Sequence, residues 1–296
     1  MASPSGVGLI AVPQPYDFER SLDRFTFWGV DRANVWHDGG LHRVVAGREV
    51  RITPANGGVR IEPLDDTIEP VVRKLLGLEL DLPAFHAFAQ GEPVLAEAAQ
   101  RFPGFRPPLA PDPFEALVSS ITAQQVSLHA AFAVRSRLID RFGERSACSG
   151  SGPGEGVRGN REVPPTGANV LAFPTRERVA RASEAELIVL GFSRRKAEYV
   201  LGVARADLDF HELASLPDDE VKARLTSLRG LGEWSADWFL ARHLARPEAW
   251  PAGDLGLRKA VLAFYPEVTD VRAAGERFRP FQNLSAHYLL AALRYL

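Results

Sequence analysis

One short stretch gathers the residue types that could do chemistry together. Residues 228–260 read LRGLGEWSADWFLARHLARPEAWPAGDLGLRKA. They hold Gly230 and Gly232 in a Gly-x-Gly turn, Trp234 and Trp238 four apart, and Asp254 behind a Pro-Ala-Gly. Asp254 follows Trp234 by 20 residues and has no His, Cys or Ser beside it. A lone carboxylate can stabilise a developing cation or orient an attacking water. Indoles four apart lie on one side of a helix, and each aromatic face attracts a cation by about 0.5–2 kcal/mol. A glycine turn that opens a helix presents backbone N–H groups suited to a phosphate. Taken singly, these features are an ordinary αα-corner, core tryptophans and an Asp N-cap. Taken together, they describe a phosphate-binding turn, an aromatic pair and a carboxylate at a helix start.

The elements that must position them are mostly helical. DDEVKARLTSL carries Val221, Leu225 and Leu228 on one face, and EWSADWFLARHL resumes with Phe239, Leu240 and Leu244. LGLRKAVLAF places Leu257, Val261 and Phe264 together behind Asp254. The spacing predicts one long helix over residues 111–143, opened by Asp112 as N-cap, Pro113 and Glu115. Ser183 and Glu186 form a second capping box ahead of Leu187, Leu190 and Gly191. EPVVRKLLGL, LPAFHAFAQ and YDFERSLDRF read as shorter helices. Between Phe25 and Glu62 the pattern is β-like: RFTFWGVDRANVW, REVRIT and GVRIE, with HDGG and PANGG as turns. No repeat of fixed period occurs. Gly143–Asn169, with seven glycines and few apolar residues, reads as a flexible surface insertion that carries Cys148.

Composition bounds the class. The chain has 296 residues, 46% apolar and 24% charged, which is ordinary globular usage. No apolar run approaches the length of a membrane span, and the N-terminus lacks a signal-peptide pattern. The single cysteine excludes a disulfide framework, a cysteine zinc site and a four-cysteine iron–sulfur cluster. A reducing, cytoplasmic setting is expected. The net charge of −2 shows no overall basic character, and Lys74, Lys196, Lys222 and Lys259 are the only lysines against many arginines.

The stretch LRGLGEWSA followed by PAGD resembles the signature of the helix–hairpin–helix (HhH-GPD) DNA glycosylases, and within them DNA-3-methyladenine glycosylase II. FEALVSSITAQQVS, LGFSRRKAEYV and RPFQNLSAHYLL resemble other helices of that family. The fold class expected is α+β, mostly α: a small N-terminal antiparallel sheet domain, residues 1–77, packed on a helical glycosylase core, residues 78–296.

The resemblance implies base-excision repair of double-stranded DNA, with alkylated bases such as 3-methyladenine and 7-methylguanine as substrates. The target base is flipped out and its N-glycosidic bond hydrolysed. Asp254 becomes the catalytic carboxylate, and Trp234, Trp238 and Leu290 line the base pocket. Gly230, Gly232, Arg229, Leu231, Gln124, Gln125 and Ser127 contact DNA, with Gln125 filling the gap the base leaves. Relatives with lyase activity carry a lysine where this chain has Trp234, so a monofunctional enzyme that leaves an abasic site is expected. Gln282, Asn283 and Leu290 depart from the family pattern, and a roomier pocket follows from that. No metal and no cluster is expected, a monovalent cation at the hairpin carbonyls aside. A monomer associated with the nucleoid completes the picture. The competing readings are a non-catalytic hairpin DNA grip, in which Asp254 would only repel phosphate, and a glycosylase for oxidised or mispaired bases.

Overall fold

Tight turns dictate the N-terminal sheet. The computed structural model describes residues 6–146 and 168–295. Most of Gly143–Asn169, Cys148 included, lies outside the described residues. Asp38–Gly39 and Ala46–Gly47 hold positive φ at both positions, the backbone that two-residue hairpins need. With the Asn56–Gly57 turn they fold β1 (Gly6–Ala11), β2 (Val35–His37), β3 (Gly40–Val45), β4 (Arg48–Ala55) and β5 (Gly58–Leu64) into an antiparallel sheet of order β1-β5-β4-β3-β2. Ile10 pairs with Val59 and Ile52 with Ile61. Their side chains cluster with Phe18, Leu22, Val72 and Leu75 of the neighbouring helices.

Two expectations change here. The helix expected in YDFERSLDRF forms at Phe18–Leu22, but the aromatic run after it does not start as a strand: Arg24–Phe27 is helical. Arg294 lies over Phe27 at 4.0 Å and Trp28 at 5.2 Å, and pairs with Asp23 at 3.1 Å. Those tertiary contacts outweigh aromatic β-propensity. The first strand is instead β1, whose sequence, GVGLIA, has too little alternation to read as one.

The long helix is also broken. It runs as Pro113–Ala123 and Leu128–Phe142, with Gln125 between them at a φ of 55°. Ser127 restarts the second helix by accepting from the Ala130 amide at 3.3 Å. Asp112 caps the first as expected, accepting from the Glu115 amide at 2.7 Å. The Glu115 carboxylate does not complete the box. It turns inward to Arg43 of β3 and to Arg135, which also pairs with Asp31. Ser183 and Glu186 do form a full capping box.

Fifteen α-helices occur among the described residues. Two apolar clusters organise them. One joins Phe114, Leu117, Ile121, Leu201, Leu225 and Phe239; the other joins Phe85, Phe102, Leu257, Phe278 and Tyr288. The fold is therefore α+β and mostly helical, with the sheet on one flank. No helix among the described residues is long and apolar enough to cross a membrane.

Candidate active site

The hairpin forms between Asp218–Thr226 and Glu233–Arg242. Gly230 holds φ at 93°, and a Cβ there would stand 2.1 Å from Cγ of Tyr199. Backbone conformation and close approach both demand glycine. Gly232 differs. Its φ is −104° and a Cβ there would meet open space, so its glycine is not required by packing. It stands exposed at the helix N-cap with no side chain capping the first amides. The Ser235 amide donates to the Gly232 carbonyl at 3.0 Å, which leaves the Glu233 and Trp234 amides for an anion. Lys222 and the buried Asp237 pair at 2.7 Å, clamping the two helices together.

Gly230→Ala is expected to destabilise the protein by about 1–3 kcal/mol through overpacking and to weaken DNA binding together with it. Gly232→Ala should leave thermal unfolding within about 0.5 kcal/mol of the native protein. Melting curves of the two variants separate these outcomes.

Asp254 stands at the N-cap of Leu255–Phe264 and does two things at once. Its Oδ1 accepts from the Leu257 amide at 2.9 Å. Its Oδ2 accepts from the indole N–H of Trp234 at 2.9 Å and of Trp238 at 3.0 Å. The four-residue spacing thus delivers two indole edges to one oxygen. This revises the role expected of the pair, which was to offer ring faces. Trp238 is 6% exposed, and the guanidinium of Arg242 sits 3.8 Å from its ring centroid. Trp234 is half-buried and remains the open indole. Leu290 closes the other side. A Cβ on Gly256 would lie 3.1 Å from both Asp254 Oδ1 and Leu290 Cδ2, so the absence of a side chain there keeps room beside the carboxylate. Leu290 packs on both helical clusters, so the site lies at their junction.

The remaining candidates divide. Gln125 is exposed in its left-handed conformation at the tip of the 124–127 turn. Gln124 faces inward: its amide donates to the Gly230 carbonyl at 2.8 Å and to Ser235 Oγ at 3.3 Å. It fixes this turn to the hairpin rather than reaching outward. Leu231 is buried in the helical core, and its amide donates to Leu228. It anchors the turn, and nothing of it is left for DNA but the carbonyl. The Ser127 hydroxyl is occupied as a cap, at an exposed position. Arg229 is 77% exposed and pairs with Glu198 at 2.7 Å. Gln282 and Asn283 are buried, and Asn283 donates to the Ala241 and Arg246 carbonyls at 3.0 Å each. Their departure from the expected pattern therefore falls on helix packing, not on the pocket.

Arg242, His287 and Gly256 escaped the sequence reading. Arg242 follows Trp238 by four, so helical spacing alone sets it on the same side. His287 meets Trp238 edge to face at 5.6 Å, a contact that only the folded chain reveals.

A family model described as HhH-GPD superfamily base excision DNA repair protein matches residues 118–274. The chain is 28% identical over 196 residues to a DNA-3-methyladenine glycosylase of Bacillus subtilis, covering 65% of this chain and 59% of that protein. It is 28% identical over 298 residues to a probable bifunctional transcriptional activator/DNA repair enzyme AlkA of Mycobacterium tuberculosis, covering 97% of this chain and 57% of that protein. The chain thus spans less than two thirds of the length of these relatives. Its fold superposes on a 3-methyladenine DNA-glycosylase from Archaeoglobus fulgidus with a TM-score of 0.80 and 26% identity, covering 97% of this chain and 99% of that one.

Proposed function

This chain belongs to the HhH-GPD superfamily of base excision DNA repair proteins, and on that premise we propose that it is a monofunctional DNA glycosylase for alkylated bases. The relatives named as 3-methyladenine glycosylases support the substrate class. The observation that carries the chemistry is the Asp254 carboxylate held by two indole N–H groups. Charge-assisted bonds of this kind orient the anion firmly and leave it beside the space that Gly256 keeps open.

The mechanism follows from what each residue can supply. Duplex phosphate settles on the free amides at Gly232, and affinity falls as salt rises. The alkylated nucleotide leaves the stack and enters the hollow between Trp234 and Leu290. Gln125, projecting at the turn, takes the vacated space and can hydrogen-bond the orphaned base. A base methylated on a ring nitrogen is already an activated leaving group, so no general acid is needed. As the bond to the sugar stretches, Asp254 stabilises the cationic sugar and orients water toward it. Among the described residues Asp254 is bonded to Trp234, Trp238 and Leu257 and to no lysine, and Trp234 stands at the position that would hold an amine, so no Schiff base forms. The product is an intact strand with an abasic site.

The test is release of 7-methylguanine from a methylated duplex in the presence of chelator. We expect free base and an unbroken strand until alkali is added. Strand nicking by the purified protein, or no release from bound lesion DNA, contradicts the proposal. Gln125→Ala should lower single-turnover excision by about tenfold, equivalent to about 1.4 kcal/mol, with its melting temperature unchanged.

A further inference from the structure

Arg242 lies against Trp238, the indole whose N–H is bonded to Asp254. Its guanidinium covers Trp238 at 3.8 Å, and its Nε donates to Nε2 of His287 at 3.4 Å. Burial, with Arg242 adding to it, holds the His287 pKa down to about 3, so this ring accepts as a neutral imidazole. Arg242 makes no ion pair among the described residues, nor does the half-buried Arg24, which Asp31 and Asp23 attract without contact. Burial and then Arg24 bring the Arg242 pKa down to about 9, with Asp254 acting the other way. Arg242 is therefore a cation at neutral pH. The interior screens it poorly.

Trp238 already holds a cation on its ring and donates its N–H to Asp254. A cationic base entering the hollow between Trp234 and Leu290 meets repulsion from this charge, while a neutral base loses nothing. Guanidinium N–H groups can also meet a keto oxygen.

We propose that Arg242 sets the charge preference of the base pocket, favouring a neutral keto purine over a cationic base of the same shape. This rests on the glycosylase reading. Alkylated bases then owe their excision to the lability of their bond, and Arg242 sets how strongly a neutral base competes for the site.

Hypoxanthine and 7-methylguanine share the 6-keto oxygen and differ in nucleoside charge, so the ratio of their single-turnover release rates reads the preference. The ratio also cancels any loss of folded enzyme. Relative to the native protein, Arg242→Met should move it at least tenfold toward 7-methylguanine. Arg242→Lys, which keeps the charge, should stay within threefold. A ratio unmoved in Arg242→Met overturns the charge preference alone. If the native protein releases neither base from duplexes it binds, the glycosylase reading falls and the preference with it. Should Arg242→Met fail to fold, Arg24→Gln decides: a threefold shift in the same direction supports the proposal, and no shift overturns it.

Discussion

Asp254→Asn is expected to lower base release by about 10²–10⁴-fold, the range ascribed to a positioned acid or base group, with DNA affinity nearly unchanged. The geometry explains why the isosteric change is severe. Oδ1 and Oδ2 accept three N–H donors between them, from Leu257, Trp234 and Trp238. An asparagine has one acceptor oxygen. Turned to cap Leu257, it presents an NH₂ to two indole N–H groups; turned to the indoles, it leaves the helix start uncapped. Either way the negative charge next to the sugar is gone. Trp238→Phe keeps that charge and removes one donor. It should cost about tenfold in release, because hydrogen bonds to charged groups are worth about 1.5–3 kcal/mol and Trp234 still holds Oδ2. Single-turnover release from a methylated duplex, alongside binding to undamaged DNA, measures both variants.

Glu115→Gln is expected to cost about 3–5 kcal/mol of stability, the penalty for removing one member of a buried ionic set. Glu115, Arg43 and Arg135 are all buried, at 4%, 6% and 6% exposure. The carboxylate answers two guanidinium groups, one from the sheet and one from the Leu128–Phe142 helix. Arg43 is also bonded to Asn34 at 2.8 Å, and Arg135 to Asp31. Neither alternative replaces a full charge shared between them. At about 2–4 °C per kcal/mol for a chain of this size, the melting point should fall by roughly 10 °C. Glu198→Gln, which breaks only the exposed pair with Arg229, should move stability by less than about 1 kcal/mol. Thermal denaturation of the two variants side by side checks this.

The same groups set the acid limb. His243 and His287 are buried neutral, with pKa values held down to about 4 and about 3, burial being the first cause in each case. Both bind protons more readily when unfolded, at about 6.5. The stability they permit is complete above that value and is lost as pH falls toward their folded values. For Glu115, burial raises the pKa, but Arg43 and Arg135 outweigh it and hold the carboxyl below its ordinary value. Its contribution is full above the unfolded carboxylate range, about 4.3, and goes last. Melting temperature against pH should therefore decline from about 6.5 downward and steepen below about 4. A flat profile between pH 6 and 4.5 would contradict the histidine part.

Local rules carried much of this fold. Helical periodicity placed Trp234 and Trp238 on one side, and cap chemistry put Asp254 at a helix start. The connection over residues 243–254 returns Asp254 to the start of the Glu233–Arg242 helix and so brings all three together. What the rules could not supply was side-chain direction. Whether an indole offers its face or its edge is a matter of rotamer and neighbours, so the N–H bonds to Asp254 and the guanidinium on Trp238 became visible only in the folded chain. Contacts across 72 residues, such as Arg43 with Glu115, leave no periodic trace. Leu231 shows the converse limit: membership of a ligand-binding motif does not say which way a side chain points, and here it holds the turn to the core. Aromatic propensity does not show the helix at Arg24–Phe27, and periodicity runs straight through Gln125, where only the family resemblance implies a turn, because both are weak against tertiary packing.

The claim on which the chemistry turns is that Asp254 stabilises positive charge at the sugar. Binding of duplexes carrying a cationic pyrrolidine or a neutral tetrahydrofuran in place of the lesion sugar isolates that charge. The native protein should bind the pyrrolidine duplex at least tenfold more tightly, and Asp254→Asn should lose that advantage. Equal affinity of the native protein for both duplexes, or an advantage that survives in Asp254→Asn, would contradict it.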